Sequence, residues 1–219
     1  YSTDSAGGGV TFGFPIGETQ RINFGLNVEH TEIREGFAAA QEISEFIERN
    51  GPDALNFKAN LSWIRSTLNR GVFADRGSSQ SIGVTFAAPG SDLEFYRLTY
   101  QGEKYFPLTQ LFTLKLRTEL GYGDSYGDTP ALPFYEHFFA GGFGSIRGFE
   151  NSTLGPRSTP PLDENGNPII FSSFDNDGRY GQPFGGNLLL EFSAELIFPL
   201  PFVEDNRQFR PALFFDVGN

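Results

Sequence analysis

In LFTLKLRTELGY, residues 111–122, apolar and polar side chains trade places at nearly every step, a pattern that no helix can present as one coherent face. Phe112, Leu114, Leu116, Leu120 and Tyr122 share one side, with Thr113, Lys115, Arg117 and Glu119 on the other. A period of two requires extended chain, so this segment predicts a strand with one greasy and one charged face. The same pattern recurs in RINFGLNVEH, where Ile22, Phe24, Leu26 and Val28 oppose Arg21, Asn23, Asn27 and Glu29. In LNFKANLSW, Leu55, Phe57, Ala59, Leu61 and Trp63 oppose Asn56, Lys58, Asn60 and Ser62. In NLLLEFSAELIF, Leu188, Leu190, Phe192, Leu196 and Phe198 oppose Glu191, Ser193 and Glu195. Shorter versions lie at Val10-Phe12-Phe14, Ile82-Val84-Phe86, Tyr96-Leu98-Tyr100 and Leu213-Phe215-Val217, the last opposite Arg210, Phe214 and Asp216. Eight strands are predicted.

A soluble antiparallel sandwich also alternates, so length and punctuation must separate it from a membrane barrel. Several of these segments reach about ten residues, the length of a tilted strand crossing a bilayer, whereas soluble strands centre on about five or six. Aromatic residues sit near the ends of the apolar runs, as interfacial girdles do: Trp63, Tyr100, Tyr105, Phe106, Tyr122, Phe198 and Phe202. The connections add a second signal. The longest, residues 31–54 and 123–186, are the second and sixth, which puts both on the same side of an up-and-down sheet. Transmembrane barrels place short turns on one side and long loops on the other. In the first long loop, FAAAQEISEFIERN brings Phe37, Ile43, Phe46 and Ile47 to helical spacing and ends at Asn50-Gly51, predicting a short amphipathic helix on the rim. The fold expected is therefore an all-β antiparallel transmembrane barrel, covering residues 1–219 as one partial domain. Tyr1 opens abruptly and ALFFDVGN stops as if in mid-strand, so an internal piece of a longer barrel is expected.

Composition narrows the function. A net charge of −11, with only 16 Lys and Arg, does not suit a nucleic-acid surface, which needs clustered Lys and Arg along a phosphate backbone, so no nucleic-acid partner is expected. With no cysteine there is no thiol nucleophile and no Cys-ligated metal. Two histidines, His30 and His137, and no G-x-S-x-G turn leave no nucleophilic triad to build. DENGN from residue 163 and DNDGR from residue 175 lack the spacing and closing Glu of calcium loops and read as turns. Glu191 and Glu195 lie four residues apart on a strand, roughly 13 Å, too far for a glycosidase pair. No enzyme activity, cofactor or metal is expected.

The remaining anomaly is GGFGSIRGFE, residues 141–150, a lone cation among glycines and aromatics inside a long loop. A loop folded into a barrel loses water, and a desolvated guanidinium needs a carboxylate in fork geometry. Glu191, Glu195 and Asp216 lie on predicted lumenal faces and are the candidates; the alternative is an exposed arginine with no fixed partner.

PFYEHFFAGGFGSIRGFENSTLGPR closely resembles the sixth extracellular loop of the BamA family, whose members are the central components of the machinery that inserts β-barrels into the bacterial outer membrane. The hallmark is Ile146-Arg147-Gly148-Phe149, flanked by Gly141-Gly142 before it and GPR after it. VTFGFPIGE, LNRGVFADRGSS, LGYGD, GGNLLLEFSAELIFPLPF and FFDVG match as well, so the likeness runs along nearly the full chain. The resemblance implies a sixteen-stranded barrel, of which about eight strands are here, following periplasmic modules. It also implies a loop tucked into the lumen, with Arg147 held by Glu195 and Asp216 while Ile146 and Phe149 pack; Glu191 matches no functional residue of the family. The implied partners are unfolded barrel clients, outer-membrane lipid and the accessory lipoproteins BamB, BamC, BamD and BamE, these last mainly through the periplasmic modules. A polypeptide-translocating relative, of two-partner secretion or organelle import, is the alternative, since such channels share the loop motif.

Overall fold

The computed structural model describes residues 1–36, 39–162, 167–169, 181–200 and 210–219. Eight strands form one sheet: β1 (Ser2–Gly17), β2 (Gln20–Arg34), β3 (Asp53–Ser66), β4 (Gly77–Ala87), β5 (Phe95–Pro107), β6 (Thr113–Ser125), β7 (Leu188–Ile197) and β8 (Ala212–Gly218). Each pairs antiparallel with the next, in the order β1 to β8. All eight fall where the alternation predicts them. The first is longer than its apolar core suggested, because SAGGG continues the ladder without side chains that mark a face. Pro15 has no N–H to donate, and the β1–β2 register shifts between it and Gly17.

The sheet is inside out relative to a soluble one. On β3, Leu55, Phe57 and Leu61 are exposed while Asn56 and Lys58 are buried. On β7, Leu188, Leu190 and Phe192 are exposed while Glu191 and Ser193 are buried. Apolar side chains facing out and polar ones facing in is the arrangement lipid demands, with the polar groups paired inside. In register, Ile22 meets Trp63, which meets Ile82, which meets Tyr100, which meets Leu120, so one apolar band crosses five strands. A slip of one residue would turn every one of those side chains inward, and the band therefore fixes the register.

The long connections are 35–52 and 126–187, slightly shorter than the sequence suggested because β2, β3 and β6 run further. In the first, α1 (Gln41–Asn50) stops at Gly51, whose φ of 84° lets its N–H reach Ile47 at 2.8 Å. Phe37 of the expected helix, the turns at 163 and 175, and Phe202 lie outside the described residues. α1 is not a free rim element. Ile43 is buried with Ile33, Ala39 and Phe134, and the Phe46 ring meets Phe134 edge-on at 5.4 Å. Glu42 accepts hydrogen bonds from the Thr159 N–H and hydroxyl, which ties the two long connections together.

The sixth connection lies against the inner wall. β6 receives it through LGYGD: the Phe138 ring occupies the space over Gly121, and Leu132 that over Gly123. A Cβ on Gly121 would sit 2.6 Å from the Phe138 ring. Gly121→Val is expected to push Phe138 off the wall at a cost of about 1–3 kcal/mol. Limited proteolysis in the 126–140 segment of the folded parent protein should then speed up, and unchanged cleavage would mean that this contact does not hold the loop.

Candidate functional site

The chain doubles back within the sixth connection, with bridges pairing Phe138 to Gly186, Ala140 to Leu154 and Arg157 to Pro183. Its tip, residues 141–149, is shaped by glycine. Gly142 has a φ of 107°, and a side chain there would collide with Asn151 as well as strain the backbone. Gly141 is alike, with a φ of 104° and Glu150 O in the place of a Cβ. The Gly142 N–H bonds Ile146 O at 3.1 Å, and this tight turn points Ile146 and Arg147 at the wall.

Arg147 is held by three residues of two neighbouring strands. Its Nε and Nη2 donate to Asp216 Oδ2 and Oδ1 at 2.7 and 2.6 Å, a two-pronged grip. Nη1 donates to Glu195 Oε1 at 2.7 Å, and Nη2 also to Ser193 Oγ at 2.9 Å. The backbone N–H of Arg147 reaches Asp216 as well, at 3.1 Å. Beneath it, the Phe214 ring faces the guanidinium at 3.8 Å. The Asp216 side chain is only 3% exposed, so its charge depends on this partner. The hydrogen bonds that Arg147 donates to Asp216 hold its pKa above the ordinary value, and the side chain stays cationic.

Of the residues singled out from sequence, Arg147, Glu195 and Asp216 are brought together, and Ile146 is buried beside Gly218, whose missing side chain makes room for it. Gly148, with a φ of 94°, turns the chain away again. Phe149 does not pack as expected: it is 53% exposed, because the turn at Gly148 carries it off the wall. Glu191, set aside on the resemblance, belongs to the site. It is 6% exposed, accepts a hydrogen bond from Ser145 and lies 3.4 Å from Arg117, whose guanidinium also bonds Gly144 O. Lys115 stands 3.7 Å from Glu195.

Sequence reasoning missed a second ionic site. Glu136, in the short 3₁₀ helix Phe134–Glu136, accepts from Lys58 Nζ at 2.8 Å and from Arg97 Nη1 at 3.0 Å. Lys58, 8% exposed, also bonds Glu29 at 2.6 Å. The Arg97 guanidinium lies over Phe138, 4.4 Å from its centroid. Alternation already placed Glu29 and Lys58 on the polar face of their strands, but only the structure adds Arg97, and only the loop's path brings Glu136 to them. Among the described residues, no group of three His, Asp or Glu is arranged to hold a metal ion.

A wall with a polar inner face and an arginine-tipped loop folded onto it can be compared with known proteins. Residues 1–219 match the family model described as the Omp85 superfamily domain. The chain is 35% identical, over its whole length, to the outer membrane protein assembly factor BamA of Neisseria meningitidis serogroup B, of which it covers 26%. It is 25% identical over 85% of its length to a SAM50-like protein of Schizosaccharomyces pombe, covering 32% of that protein. Among solved structures, BamA from Haemophilus ducreyi lacking POTRA domains 1–3 superposes with a TM-score of 0.84 at 27% identity, over 99% of this chain and 41% of that one. The chain thus spans between about a quarter and a third of the length of these two curated relatives. The match along every residue, with the same strand wall, identifies the chain as a member of the Omp85 superfamily, a stretch of the wall of an outer-membrane β-barrel.

Proposed function

We propose that the protein containing this stretch is the central component of an outer-membrane β-barrel assembly machinery, which folds barrel proteins into the bacterial outer membrane. Arg147, gripped by Asp216 and Glu195 in a chain 35% identical throughout to a BamA, is the observation that carries this reading. In it the arginine is a latch. It fixes the sixth connection to β7 and β8, which stiffens the wall while client strands pair elsewhere on the parent barrel. Such work needs no bond made or broken: the machine lowers an insertion barrier by offering strand edges and a locally thinned bilayer. Residues 1–219 are read as one partial barrel domain. The substrates are unfolded barrel clients, the solvent is outer-membrane lipid, and BamB, BamC, BamD and BamE engage mainly through periplasmic modules of the parent.

The test uses the full-length parent in liposomes with an unfolded barrel client, scored by the gel-mobility shift of folded barrels. Client folding should be at least tenfold faster than in empty liposomes. If the parent leaves that rate unchanged but passes polypeptide across the bilayer, assembly is wrong and the translocating relative is the better reading.

A further inference from the structure

The outward face of the sheet carries charge as well as apolar side chains, and the charge is sorted by end. At the end bearing the long connections, Asp4, Glu32 and Asp53 stand in a row across β1, β2 and β3. Arg34 answers two of them, at 3.3 Å from Asp4 and 3.1 Å from Glu32. At the end bearing the short turns, the outward-facing charges on described strands are Arg65 of β3 and Lys104 of β5, both cations. Their facing follows from register: Arg65 is two steps from Trp63 on the same side, and Lys104 lies between Gly102 and Phe106 on the side of Leu98 and Tyr100.

We propose that Arg65 and Lys104 form a binding site for the anionic headgroup of a phospholipid in the leaflet at the turn end. Neither cation has a carboxylate within 4.0 Å among the described residues, whereas the inner-face cation Lys58 and the loop cation Arg147 do. Their surroundings are those of a bilayer interface. Trp63 donates its indole N–H to Gln20 Oε1 at 3.2 Å while its ring faces the apolar band. Lys104 Nζ lies 4.6 Å from the Phe106 centroid, its stem running along apolar surface and its charge toward the turn end.

The two cations flank β4. Arg65 is level with Gln80 and Gly102, and Lys104 is two residues nearer the turns, opposite Ser78. Two strand spacings and two residue rises separate their Cα atoms by roughly 12 Å. Both long side chains can reach one phosphate across that gap, and Ser78 and Gln80 between them offer neutral hydrogen bonds. The carboxylate row at the far end repels such headgroups, so selection is confined to one leaflet. Each interfacial cation should favour an anionic over a zwitterionic lipid by about fivefold.

This inference needs only that the sheet face lipid, so it stands or falls apart from client folding. The experiment reconstitutes the full-length parent in phosphatidylcholine vesicles containing graded amounts of brominated phosphatidylglycerol or brominated phosphatidylcholine. Bromine quenches only tryptophan it touches, and the Trp63 signal is the difference between wild type and Trp63→Phe. Half-quenching should need at least fivefold less brominated phosphatidylglycerol than brominated phosphatidylcholine, with the gap closing in high salt. Arg65→Gln with Lys104→Gln should abolish the preference and Arg65→Lys should keep it. Equal quenching by the two lipids in wild type would overturn the proposal without any variant, and so would a preference that survives the double replacement.

Discussion

Replacing Arg147 by Glu in the full-length parent should release the tip of the sixth connection and abolish client folding in liposomes. The substitution places a third carboxylate beside Asp216 and Glu195 and removes every side-chain bond the guanidinium makes. The nearly buried Asp216 side chain is then left charged without its cation. Breaking a buried pair of this kind costs about 3–5 kcal/mol, enough to shift a docked loop to a mostly released one. Asp216→Arg alone should be as damaging, since it sets two guanidinium groups face to face. Arg147→Glu combined with Asp216→Arg restores opposite charges and should recover a measurable part of the activity, less than all of it because Glu195 and Ser193 lose their donor. Full activity in Arg147→Glu would remove the latch from the mechanism. Failure of both singles with no recovery in the double would mean that the Arg147 geometry matters beyond its charge.

The second large effect is expected at Glu136. Lys58 and Arg97 face two carboxylates, Glu29 and Glu136, and Glu136→Gln leaves two cations with one anion in a nearly closed site. Arg97 Nε already lacks a hydrogen-bond partner there, as do the Tyr135 hydroxyl and Asn56 Nδ2, so there is little spare capacity to absorb the loss. The near limb of the connection should loosen by about 3 kcal/mol, read as faster amide exchange at Glu136, His137 and Phe138 by roughly a hundredfold. The Arg147 amide, bonded to Asp216, should keep its protection. Adding Lys58→Gln removes the excess charge and should recover more than half of the effect. If exchange rises equally at Arg147 in Glu136→Gln, the two limbs open as one unit.

How far the sequence reaches is plain from particular residues. Leu55, Phe57 and Leu61 could be placed on the lipid side before any coordinates, because alternation is local and side chains two apart on a strand must share a face. Asp216 and Glu195 could be named as partners of Arg147 only through family resemblance; periodicity put them on the inner face together with Glu191 and left the choice open. The family-based reading then erred in both directions. It demoted Glu191, which bonds Ser145 of the loop, and it packed Phe149, which the turn at Gly148 carries away from the wall. Neither outcome is encoded in spacing, since each depends on the φ of one glycine or on which rotamer meets which strand.

What the sequence by itself determined is the sheet: eight alternating segments in order, the side that meets lipid, and the two connections long enough to cover the inner surface. Only the tertiary structure decided where the sixth connection lies. Phe138 over Gly121, Leu132 over Gly123 and Ile146 beside Gly218 are contacts between residues 9 to 72 positions apart. The Glu136 network likewise draws its members from β2, β3, β5 and the connection. The physical reason is range. Strand faces follow from steric rules acting over two residues, whereas a buried ion pair forms only where chain segments far apart in sequence exclude water together, and that place exists only once the wall has curved and the loop has entered it.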